Sequence, residues 1–349
     1  MPAYELVLRL DPHDPQPNWL HDPAAPALRK SFYRSLGLRG TDTWVTIDPL
    51  APRTADTLDR LEVLVKSGAV ALGEVRLREA LTAQELDACE WFGLENRFFK
   101  GDPGYSVWDD YPACKSAAIP DGIHLFEDVL VSAMFRAVVE TQRLGGLEFL
   151  RVREKSRKPK LAWHVAVARA PLGQGVDHPW FDRARWERHL REHAARTYDQ
   201  DPARPPGHFS GGWIRDEAYR ADPLLARLLK LLREKSEQPL VGLTVLPVAR
   251  YSRAHLPPAD FAYVPLGRDG PNRAGKLFRF RRLCASRRAR DALLGAELIR
   301  ERDAAPLLVV DAPPPGAPDL DRLHTPPPPM YTDAELATLR VAEAALSPR

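Results

Sequence analysis

The side chains best spaced for chemistry begin with His189-Leu190-Arg191-Glu192-His193. Imidazoles at i and i+4 share one helix face, the arrangement that can grip a zinc ion, which then needs a further protein ligand. Trp186, Leu190, His193 and Thr197 also form one stripe, which gives His193 a packing role instead. No metal is expected, and His189 and His193 are the weak candidates for one. A second pattern, Gly270-Pro271-Asn272-Arg273-Ala274-Gly275-Lys276, has the G-x-x-x-x-G-K spacing of a phosphate cradle. Leu277 stands where a magnesium-holding hydroxyl belongs, and Pro265 interrupts the preceding strand, so a hairpin turn is expected.

The third feature is basic. Lys276, Arg279, Arg281, Arg282, Arg287, Arg288 and Arg290 run together, with Phe278 and Phe280 among them. Cations beside aromatic rings can hold phosphates and stack bases, and they equally suit an acidic protein surface. Leu277, Phe278 and Phe280 also fit the inward positions of a strand, while Asp291, Glu297, Glu301 and Asp303 dilute the charge. A solvated helix face is the plainer expectation, with these seven residues as candidate binding groups. Ser210-Gly211-Gly212 lacks the G-x-S-x-G elbow. The acids Asp109-Asp110 and Glu127-Asp128 are sequence neighbours and do not face one substrate. No catalytic residue and no cofactor is expected.

Composition sets the frame for these groups. The 349 residues carry a formal net charge of +3, mild for a dedicated nucleic-acid binder. Apolar residues make up 44%, enough for a core, and 34 prolines imply many stiff loops. Cys89, Cys114 and Cys284 form no CxxC pair, which fits a reducing cytoplasm and neither a zinc knuckle nor a disulfide scaffold. The opening residues lack a secretory pattern, and no run of 18 apolar residues exists to span a membrane.

The elements follow from periodicity. Alternation predicts strands over 3–10, 43–47, 61–65, 70–77, 161–168 and 240–248. Thr82 and Glu85 predict a capped helix reaching about Trp91. Helices are also predicted over 181–198 and from Asp222-Pro223 to Leu232. Eight prolines between Asp311 and Pro329 predict an extended spacer, and Thr332 with Glu335 caps a terminal helix reaching about Leu346, either docked or waiting for a partner.

Two stretches share one plan. Val129-Leu130-Val131-Ser132 leads a helix with Arg136, stopped at Gly145-Gly146, then Leu147-Glu148-Phe149-Leu150-Arg151-Val152. Leu283-Cys284-Ala285-Ser286, Arg290 and Leu307-Leu308-Val309-Val310 repeat it. The first stretch resembles a recurring phrase of the myxobacterial polymorphic-toxin immunity proteins, relatives of the double-CxxCG immunity family. The chain departs from the double-CxxCG members in having no CxxC, which removes their zinc ribbon. The resemblance implies a cytoplasmic protein that binds and neutralises a cognate toxin without catalysis. The expected fold is α+β, with short mixed or antiparallel sheets and amphipathic helices on one face, in two related lobes. The expected domains are 1–155, 156–310, a Pro-rich linker 311–330 and a C-terminal helix 331–349. A cognate toxin or other protein is the expected partner, with no membrane. Nucleic-acid association through 276–302, or an enzyme with an unrecognised site, are the alternatives.

Overall fold

The computed structural model describes residues 4–12, 34, 44–68, 70–94, 112–114, 123–125, 129–154, 162–173, 175–176, 212–213, 222–235, 243–246, 248–265, 270–271, 277–278, 281–311, 329 and 331–345. Its helices are α1 (Thr54–Lys66), α2 (Ala83–Ala88), α3 (Ala133–Thr141), α4 (Pro223–Lys235), α5 (Arg287–Gly295) and α6 (Asp333–Ala344). The early strands are β1 (Tyr4–Pro12), β2 (Trp44–Ile47), β3 (Val70–Glu79), β4 (Trp91–Leu94), β5 (Ala113–Cys114), β6 (Ile123–Leu125) and β7 (Val129–Ser132). Then come β8 (Leu147–Arg151), β9 (Arg153–Glu154), β10 (Trp163–Ala168), β11 (Gly175–Val176), β12 (Gly212–Trp213) and β13 (Leu243–Leu246). The last are β14 (Arg250–Ser252), β15 (Phe261–Pro265), β16 (Gly270–Pro271), β17 (Leu277–Phe278), β18 (Arg281–Ser286) and β19 (Ala304–Val310). The class is α+β with short mixed and antiparallel sheets.

The chain divides into two units, each made of two stretches: Met1–Asp87 with His178–Val248, and Ala88–Asp177 with Ala249–Arg349. This departs from the sequential lobes 1–155 and 156–310. The reason is long-range pairing: β4 lies between β18 and β19, which come from the far end of the chain.

In the first unit, five strands run in the order β12-β13-β3-β1-β2, with only β13 and β3 parallel. Leu6, Leu8, Val45, Ile47, Leu72, Val75 and Leu77 of the sheet meet Leu58, Leu61 and Val65 of α1 and Leu225, Leu228 and Leu231 of α4. Residues 61–65, expected as a strand, belong to α1. Leu58, Leu61 and Val65 recur at helical spacing toward the core, while Val63 faces outward. Asp222 caps α4 through the Leu224 amide (2.9 Å) and accepts the Tyr4 hydroxyl at 2.5 Å, tying the helix start to β1. Arg227 then bridges α4 to Asp59 and Glu62 of α1.

The second unit contains both repeats, and they fold alike. One sheet has the order β6-β7-β10-β8, all antiparallel neighbours. The other contains β15-β18-β4-β19 with the same antiparallel pairing, extended by β14 and β11 beyond β19. Each repeat is therefore a strand, a helix and a parallel strand, split by a central strand antiparallel to both. The central strand follows the repeat in one copy (β10) and precedes it in the other (β4). Trp163 sits opposite Ser132, and Trp91 sits opposite Ser286.

Helix ends match as well. Ser132 accepts the Phe135 amide at 3.3 Å, and Ser286 accepts the Ala289 amide at 3.2 Å. At the other ends, Arg143 and Glu297 take the left-handed conformation, with φ of 51° and 57°. The amides of Leu144 and Leu298 reach back to the carbonyls of Val139 and Leu293 at 2.9 and 3.0 Å, closing the same stop in both helices. So Arg143, not the expected Gly145-Gly146 pair, ends α3. Gly146 serves a different need: at φ 101°, a Cβ there would collide with the Phe261 carbonyl. The Thr82–Glu85 capping box forms, but α2 ends at Ala88, because Trp91–Leu94 is consumed as the central strand of the second copy.

Candidate functional site

The arginine-rich candidates divide among three separate duties. Arg287 donates to the Cys89 carbonyl at 3.0 Å through Nε and lies 5.9 Å from the Phe92 ring. Arg290 lies over the same ring, 4.4 Å from Phe92, and pairs with Asp291 and Glu301. Arg288 leaves in another direction, donating to the Gln142 carbonyl at 2.6 Å and to Asp260 at 3.3 Å. Arg282 crosses Gly93, where an added Cβ would come within 2.8 Å of its Cδ. Arg281 lies in β18, and Lys276 and Arg279 fall outside the described residues, as do His189 and His193 with their expected helix. Three of these arginines, Arg287, Arg288 and Arg290, thus bond to other parts of the second unit. Leu277 and Phe278 pair antiparallel with Gly270-Pro271, while residues 272–276, the expected hairpin turn, lie outside the described residues.

Asp260 joins the two repeats, and nothing in its local sequence marks it. Its carboxylate accepts the Gly145 amide at 3.0 Å, the Ser286 hydroxyl at 3.0 Å and Arg288. Its own amide donates to the Gly145 carbonyl at 3.0 Å, and its carbonyl accepts the Ser286 amide at 2.7 Å. Both ends of one loop residue therefore fix the stop of α3 against the start of α5.

Three buried groups of the second unit are shifted toward their uncharged forms. Burial pushes the Cys284 thiol up to about 12. Burial, with Cys284 alongside, likewise raises Tyr251. His164 on β10 is 7% exposed. Burial first, then the Arg136 guanidinium, lowers its pKa to about 4. Arg136 has only donors, so its contact with His164 Nε2 at 3.2 Å places the imidazole proton on Nδ1, which has no hydrogen-bond partner among the described residues. His164 occupies the place that Phe92 has in the second copy, and it packs edge-on to Phe149 with Arg136 over that ring. Among the described residues, no group of three or more His, Cys, Asp or Glu side chains is arranged to hold a metal ion.

The outer edge of β8 and β9 is finished differently along its length. At Arg153 the amide donates to the Pro112 carbonyl at 2.9 Å, and β5 pairs in parallel with β9. The second copy does the same: Leu308 donates to the Ala249 carbonyl at 2.9 Å, and β14 pairs in parallel with β19. One step earlier the copies differ. Pro306 offers no amide, whereas the Arg151 amide donates to the Glu343 carboxylate of α6 at 2.7 Å. Arg340 of α6 donates to the Phe149 carbonyl at 2.8 Å. Arg169 links Glu148 to Asp333 at 3.0 and 2.8 Å, and Leu336 and Leu339 are the buried apolar residues of the helix. The terminal helix is therefore docked, and its Thr332–Glu335 capping box forms as its sequence predicts.

Among the described residues, no helix is long and apolar enough to cross a membrane. No family model, no curated protein and no solved structure matches the chain.

Proposed function

We propose that the chain is a non-catalytic protein-binding module of the immunity type, which neutralises a cognate bacterial toxin in the cytoplasm. One observation carries the reading. In the unit that contains the immunity-like stretch, the thiol of Cys284 and the imidazole of His164 are buried in their uncharged forms, while the strand–helix frame is fixed at both ends of both helices. Burial of this kind suppresses nucleophilic and acid–base chemistry, and a frame pinned at its turns keeps a recognition surface in shape at low entropic cost.

The test is direct. The purified chain is mixed at micromolar concentration with the product of the neighbouring reading frame and resolved by size exclusion with light scattering. A stable stoichiometric complex is expected. Separate elution of the two proteins would overturn the reading.

A further inference from the structure

We infer that the outer edge of β8, Leu147–Arg151, is a docking site for an extended segment of the partner protein, and that α6 is its resident plug. Three observations meet there. First, this edge takes strands: both copies accept a short parallel strand one step further on, with Pro112 and Ala249 as equivalent acceptors. Second, α6 imitates a strand with side chains. Glu343 accepts the Arg151 amide where a strand carbonyl would, and Arg340 donates to the Phe149 carbonyl where a strand amide would. The second copy has Pro306 at the same place, so the amide that α6 takes up is particular to β8.

Third, the helix is held by two buried leucines, Leu336 and Leu339, and otherwise by exposed ion pairs. Asp333 is 91% exposed where it meets Arg169, and Arg169 and Arg340 are each 42% exposed. Ion pairs of this kind hold weakly in water. The sequence between β19 and α6 includes Pro313-Pro314-Pro315 and Pro326-Pro327-Pro328-Pro329. Such a tether keeps a released helix close enough to rebind. The fitting occupant is an extended segment parallel to β8, in line with β5, with a carboxylate to take the place of Asp333 at Arg169.

The site deepens the protein-binding reading and rests on it for its natural partner, yet its test uses no toxin. In the full chain, amide exchange is compared at Arg151, whose amide goes to α6, and at Val152, whose amide donates to the Trp163 carbonyl inside the sheet. In the wild type, Arg151 should exchange at least about tenfold faster than Val152, because α6 opens without the sheet. In Arg340→Ala with Glu343→Ala the gap should widen while Val152 stays protected, which also shows that the sheet is folded. A capped heptapeptide of alternating valine and threonine with one aspartate should then restore protection at Arg151 in that variant. Exchange of Arg151 in step with Val152 would overturn the plug. An opened Arg151 that the peptide leaves unprotected at millimolar concentration would overturn the docking site. Failure to bind a toxin leaves both readouts intact, so the two ideas fail separately.

Discussion

Ser132→Ala and Ser286→Ala are the same substitution at the same place in two copies of one module, and they should not cost the same. Ser132 loses one bond, the cap on the Phe135 amide at 3.3 Å, so about 1 kcal/mol is expected. Ser286 loses the equivalent cap at 3.2 Å and also its 3.0 Å bond to the Asp260 carboxylate. A hydrogen bond to a charged group adds about 1–2 kcal/mol, giving roughly 2–3 kcal/mol in all. Asp260→Ala removes the acceptor for Gly145, Ser286 and Arg288 together. A double-mutant cycle should therefore find about 1 kcal/mol of coupling between Ser286 and Asp260, and coupling within about 0.5 kcal/mol of zero between Ser132 and Asp260. Native-state amide exchange at Val165 and Ala285, core strand positions of the second unit, reads its opening free energy without interference from the first unit. Equal costs for the two serines, or no coupling at Ser286, would refute Asp260 as the link between the repeats.

Other consequences are as specific. Arg143→Gly and Glu297→Gly each relieve a left-handed non-glycine residue, so each should stabilise the second unit by about 0.5–1 kcal/mol; a loss of stability in urea titration would contradict the helix-stop assignment. Gly146→Ala should cost about 2 kcal/mol or more, because φ is 101° and the added Cβ meets the Phe261 carbonyl; a neutral result would contradict that contact. His164 takes its proton near 6.5 when unfolded but near 4 when folded, so the unfolded chain binds more protons between those values. Stability should fall by about 1–2 kcal/mol as pH drops from 6.5 to 4, after allowance for solvent screening, and level off below. The groups around the ring are Arg136 and Glu140 of α3, Arg151 of β8 and Glu343 of α6. His164→Phe, the side chain of the sister position, should remove that slope; an unchanged slope would shift its origin to another group.

The parts legible in sequence were those encoded within a few residues. Ser132 and Ser286 announced their helices because a cap is a local bond, and Thr82–Glu85 and Thr332–Glu335 did so for the same reason. Leu61–Val65 misled because Leu61, Val63 and Val65 alternate within the five, while the decisive partner, Leu58, lies one turn upstream. Gly145-Gly146 looked like the end of α3 since glycine is the usual left-handed residue, yet the backbone places Arg143 there and spends Gly146 on a close approach. Long-range pairing escaped altogether. Trp91 reads as the end of a helix until β18 and β19 claim Trp91–Leu94 as a strand. The arginine run looked like a surface because sequence does not show that Cys89, Phe92, Gln142 and Asp260 supply its partners. The edge of β8 and its cover by α6 joins residues nearly 200 positions apart, beyond any local pattern.

The claim with the most at stake is that this chain silences another protein by holding it. Titrating the full chain into an activity assay of the product of the neighbouring reading frame measures that claim in one experiment. Loss of toxin activity that is complete at one equivalent is the predicted result. Activity that persists through a molar excess, with the chain shown to be folded, would contradict it.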